Sequence, residues 1–171
     1  MPETHDARIA RATGDFDRAM ERFLERLSRA GARGEAVPGD GDWSAAQIAW
    51  HVALVNETFA GLISGAIKGP VPAAAGFVER DWGTIRSGAA PKLKAPAQLQ
   101  PPSHVTMAAA IEKLQASAES IRSALASLAP ERGGYTLKTS AVGEISVYQI
   151  GEWATVHVIR HNAQAKRVLG G

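Results

Sequence analysis

The chain has 171 residues, 45% of them hydrophobic and 21% charged, with a formal net charge of +2. That is the profile of one soluble globular domain, residues 1–171, large enough to bury a substantial core. It has no cysteine, which excludes disulfides, thiolate metal sites and a cysteine nucleophile. Acidic and basic residues are interleaved, with no basic stripe carrying aromatics, so neither nucleic acid nor a membrane is expected as a partner.

The chain opens on "MPETHDARIARATGDF", which lacks the apolar core of a signal peptide. No apolar run is long enough to cross a bilayer, and a cytoplasmic location is the expectation. In the first helical segment Ile9, Ala12, Phe16, Ala19, Met20, Phe23, Leu24 and Leu27 recur at three- and four-residue spacing. Arg18, Arg22 and Arg26 alternate with Glu21 and Glu25 on the other face, where they can pair at i,i+4. The charge run reads as a solvated face, and the helix ends near Gly31.

After "VPGDGDW", Ser44 and Gln47 have the spacing of a capping box. A second helix is expected from there to about Ile67. Its inward stripe is Ile48, His51, Val52, Val55, Phe59, Leu62 and Ile63, so a histidine interrupts an apolar face. Residues 68–103 are broken by Pro70, Pro72, Pro91, Pro96, Pro101 and Pro102 and by several glycines. A short helix fits around "FVERDWGTIR". A connection this long either wraps the domain or lines a pocket.

A third helix, capped by Ser103, carries Met107, Ile111, Leu114, Ala118, Ile121, Leu125 and Leu128 inward. Pro130 and "RGG" end it. "YTLKTSAVGEIS" has strand character with no evident partner. Ser146 and Gln149 form a second capping-box pattern. They open a fourth helix with Ile150, Trp153, Ala154, His157, His161, Gln164 and Val168 on one side. Four amphipathic helices without a convincing sheet predict an all-α four-helix bundle. The short turn between the first two makes them antiparallel.

His157 and His161, four apart, share a helix face with Cβ atoms about 6 Å apart. Alone such a pair is weak evidence for a metal site, and two partly exposed polar residues would look the same. His51 supplies a third imidazole. It lies about 10 Å along its helix from Ser44, and His157 and His161 lie about 16 and 22 Å from Ser146. In antiparallel helices about 33 Å long, His51 is level with His161; in parallel helices it is within about a turn of His157. Three imidazoles on apolar stripes need partners or a metal. A His₃ set leaves coordination positions open, as in catalytic metal sites. Zn, Ni, Fe or Mn would fit, and the ligands alone do not choose among them.

The pattern "W-S-x₂-Q-x₃-H-V" at 43–52 with "H-V-I-R-H-N-x-Q" at 157–164, and "ISVYQIGEW" before the last helix, resembles the DinB/YfiT-like superfamily of proposed metalloenzymes. The resemblance spans essentially the whole chain, and the pairing of the motifs is more specific than either alone. It implies a DinB-like four-helix bundle, up-down-down-up, with the long irregular connection between helices 2 and 3. It also implies one divalent metal ion per subunit on His51, His157 and His161. Relatives include thiol-dependent S-transferases and isomerases, so a low-molecular-weight thiol is a candidate cofactor; such bundles often form homodimers.

The other histidines read as ordinary: His5 in a frayed terminus, His104 solvated at the start of the third helix. Glu57 and Glu152 are candidate acids, though neither falls on the ligand face. Trp153 reads as core or pocket wall, Trp82 as a wall contributed by the connection. Trp50 and Arg160 are better explained by packing or exposure than by ligand contact. The expected function is a metal-dependent enzyme on a small-molecule substrate, hydrolase or thiol-dependent S-transferase, with catalytic residues beyond the metal unassigned. The alternative is a non-catalytic metal or small-molecule binding module, or a helical interaction module.

Overall fold

The computed structural model describes residues 3–39, 41–87 and 94–170. Residues 88–93 of the long connection lie outside that range. The elements are α1 (His5–Ala30), α2 (Ala45–Ser64), α3 (Trp82–Ser87), α4 (Met107–Ala126), α5 (Pro130–Gly133), a hairpin of β1 (Thr136–Thr139) and β2 (Gly143–Ser146), and α6 (Val147–Val168). The four long helices form an all-α bundle in which α1 and α2 each pack against both α4 and α6. The first two helices, joined by a short link, thus sit across the bundle from each other.

Named contacts fix the directions. Arg8 Nε reaches Glu152 at 3.0 Å and Arg26 Nε reaches Asn162 at 2.6 Å, so α1 and α6 run parallel. Gln47 bonds the Ser103 carbonyl ahead of α4, and Arg132 beyond α4 bonds the Ile63 carbonyl, so α2 and α4 run parallel. Phe59 meets Trp153 and His51 meets His161, so α2 and α6 are antiparallel.

The core is built by the stripes the sequence shows. Phe16, Met20, Phe23 and Leu27 of α1, Ile48, Val52 and Ile63 of α2, Leu114, Ile121 and Leu125 of α4, and Ile150 of α6 are sealed from solvent. Each such side chain contributes about 1.5–3 kcal/mol. A Cβ on Gly151 of α6 would lie 2.7 Å from Leu125 Cδ2 of α4, so glycine leaves room for that side chain.

Both capping boxes form as the sequence predicts, Ser44 with Gln47 and Ser146 with Gln149. Other boundaries differ. The second helix stops at Ser64, short of Ile67, because Gly65 turns left-handed (φ 86°) and Arg132 bonds the last carbonyls. The third long helix is capped by Thr106, not Ser103. The Ser103 carbonyl instead accepts from Gln47. The "YTLKTSAVGEIS" segment finds its partner in itself: Thr136 pairs with Ser146 and Thr139 with Gly143. Val71 of the connection adds an isolated bridge to Thr136. On α1 the expected ion-pair ladder is replaced in part, since Arg18 pairs with Asp15 and Arg26 with Asn162. His5 is not frayed: it starts α1, with Nδ1 2.7 Å from the Tyr148 hydroxyl.

Candidate metal centre

The antiparallel contact of α2 with α6 brings His51, His157 and His161 together. One ring nitrogen from each lies within 4.8 Å of the others. Ring centroids are 5.2 Å apart for His51 and His157, 4.9 Å for His51 and His161, and 4.3 Å for His157 and His161. Nitrogens bound to one tetrahedral ion at about 2.0–2.1 Å stand about 3.3 Å apart, so modest ring rotation would close the set. Among the described residues no carboxylate completes a four-ligand group.

Each ring has a distinct environment. His51 is buried, and its Nδ1 lies 2.7 Å from the Leu99 carbonyl oxygen. A carbonyl only accepts, so Nδ1 carries the proton and Nε2 presents its lone pair. His161 Nδ1 lies 2.7 Å from Gln164 Oε1, with the same consequence. His157 Nδ1 is sealed from solvent, with no hydrogen-bond partner among the described residues. Such an orphan is costly, and it leaves the His157 ring with an uncommitted nitrogen beside the other two imidazoles. The donor set therefore fits a divalent cation.

The electrostatics favour neutral ligands. Burial pushes His157 well below its ordinary value, and the neighbouring His161, His51 and Arg160 charges add to the effect. Burial and the His51 charge push His161 down to about 4, against the opposing bond to Gln164. Burial also lowers His51, partly offset by the Leu99 carbonyl. Near neutral pH all three rings offer lone pairs in place of positive charges.

Aromatic rings flank the triad. Trp43 lies 5.0 Å from His51, and Phe59 is edge-on to His157 at 6.2 Å. Phe59 packs on Trp153 at 4.8 Å, which meets Trp82 at 6.5 Å. Trp82 is thus two rings removed from the ligands and joins the wall through Trp153. Its indole N–H donates to Glu152 Oε2 at 3.0 Å, while Glu152 Oε1 holds Arg8 and Arg11. Glu152 is therefore structural. Glu57 is exposed and paired with Lys113, which also lies over Trp50. Arg160 and His104 are exposed.

Sequence reasoning left two supporting groups unassigned. Gln164 was visible as the residue three beyond His161, within side-chain reach on a helix. The Leu99 carbonyl had no signal, because any residue supplies one.

No curated protein matches the chain. The model of the DinB superfamily matches residues 9–165, nearly the whole bundle and every histidine of the triad, and the chain belongs to that superfamily.

Proposed function

We propose that the chain is a metal-dependent enzyme that binds one divalent ion through His51, His157 and His161 and acts on a small molecule as a hydrolase or a thiol-dependent S-transferase. The observation that carries this reading is the convergence of three neutral imidazoles, two with Nδ1–H committed to protein acceptors. When bound, the ion would supply Lewis acidity that lowers the pKa of water or of a small-molecule thiol.

The chain's own residues hold and shield. Leu99 and Gln164 fix two ring orientations, Trp43 and Phe59 lie against His51 and His157, and Trp153 backs Phe59. Glu57 and Glu152 are engaged elsewhere, with Lys113 and Trp82. No helix among the described residues is long and apolar enough to cross a membrane.

The test is elemental analysis of purified and reconstituted protein, followed by hydrolase and thiol-transfer substrate screens. Uptake of one ion by the wild type, lost in His157→Ala, supports the site. No uptake after reconstitution refutes it. Stoichiometric metal without turnover in either screen identifies a non-catalytic binding module instead.

A further inference from the structure

We propose that Gln47 is a positioning residue for His51, acting through the backbone of the connection; this rests on the metal reading of the triad. Gln47 is buried, and its two amide ends face different elements. Oε1 accepts from the Ser44 backbone N–H at 2.9 Å, completing the capping box of α2. Nε2 donates to the Pro102 and Ser103 carbonyls at 2.9 and 3.1 Å. A few residues upstream, in the 3₁₀ turn Ala97–Leu99, the Leu99 carbonyl accepts the His51 Nδ1–H. Gln47 and His51 are one turn apart on α2, so the same helix face clasps the connection twice.

The second capping box repeats the device earlier in the connection. Gln149 accepts from Ser146 N through Oε1 and donates through Nε2 to the Arg80 carbonyl at 2.7 Å. Glutamate closes a capping box as well as glutamine does. Only the amide also supplies a donor, and in both boxes that donor goes to the backbone of the 68–103 connection. Near Gln47 the fastened segment carries the acceptor that sets the His51 tautomer. Near Gln149 it carries Trp82. The first clasp therefore supports the metal ligand and the second supports the aromatic wall.

The discriminating variant is Gln47→Glu in the full chain, which keeps the acceptor for Ser44 and removes both donors to the connection. Three quantities are measured: side-chain nitrogen shifts of His51 in metal-free protein, hydrogen exchange of the 97–103 amides, and the zinc Kd by chelator competition. The expected result is wild-type helicity and about tenfold faster exchange in 97–103. His51 should move from a single Nδ1–H tautomer to a mixture. The Kd should weaken about tenfold, at the low end of what lost ligand support causes. The added carboxylate by itself tightens cation binding, so a weaker Kd is not a charge effect. Gln47→Met, uncharged, should show the same tautomer change. Gln149→Glu should leave both the His51 tautomer and the zinc Kd at wild-type values. Wild-type tautomer and affinity in both Gln47 variants would overturn the proposal, as would an equal loss in Gln149→Glu. If the wild type takes up no zinc, the metal reading fails, while tautomer and exchange still decide the role of Gln47.

Discussion

Lowering the pH should destabilise the metal-free fold through the histidine triad, with His161 giving the most tractable share. Its folded-state value is pushed down to about 4, against 6.5 for an unperturbed imidazole. Above pH 6.5 the ring is neutral in both the folded and unfolded chain and adds no pH dependence. As the pH falls below 6.5 the unfolded chain takes up the proton and the folded chain does not, so stability drops until the folded ring titrates near pH 4. The full interval is worth about 3 kcal/mol, of which about 2 kcal/mol is lost by pH 5. His51 and His157 are shifted in the same direction and steepen the loss. The assay is urea denaturation of metal-free wild type and His161→Ala at pH 8 and pH 5. Absolute stabilities differ because the substitution changes packing; the difference between the two pH values isolates the titration. The variant should lose about 2 kcal/mol less than wild type across that range. Equal losses would show that burial does not hold His161 neutral and would refute the electrostatic account of the triad.

Chelation should leave helical circular dichroism intact, because the core is apolar and continuous without the ion. An ion present at a hundred times its Kd adds about 2.7 kcal/mol, so its removal should lower Tm by about 5–10 °C; collapse of the helical signal would contradict this. Trp82→Ala removes the N–H bond to Glu152 and the contact with Trp153. Metal stoichiometry should be unchanged while KM or substrate preference shifts, and wild-type kinetics on every substrate would remove Trp82 from the wall. Gly133→Ala would place a Cβ 2.1 Å from Tyr148 Cζ. The ring must move, at a cost of about 1–3 kcal/mol, and break its bond to His5; an unchanged Tm and His5 imidazole shift would show that the ring yields freely.

Local side-chain chemistry made much of the bundle readable. Ser44 with Gln47 and Ser146 with Gln149 announced two helix starts because a capping box is a four-residue pattern. The histidines stood out because polar rings interrupted apolar stripes. Features made by backbone alone were legible only in part, and the strand character of "YTLKTSAVGEIS" did not show its pairing. Leu99 bonds His51 through a carbonyl, and the β1–β2 hairpin pairs through N–H and C=O groups. Thr106, not Ser103, caps the third long helix, its hydroxyl accepting from the Ala109 N–H, and sequence alone offered both residues. Likewise Glu152 read as a candidate acid off the ligand face, and only the packing of α1 and the connection brings Arg8, Arg11 and Trp82 to it.

The candidate ligands come from two helices, and His51 and His157 are separated in sequence by more than half the chain. During synthesis His51 leaves the ribosome long before His157 and His161, at a time when α6 does not exist. Closing so long a loop has a high entropic cost that must be met by packing. An ion captured early would find one imidazole only, or later an i,i+4 pair on a helix not yet docked. The three-nitrogen cluster thus arises last, once α6 has settled against α2, and a truncation that removes α6 leaves a chain with a single ligand. On the proposed metal reading, loading would report that folding is complete, and scarcity of the ion would accumulate folded, empty protein in place of unfolded chain.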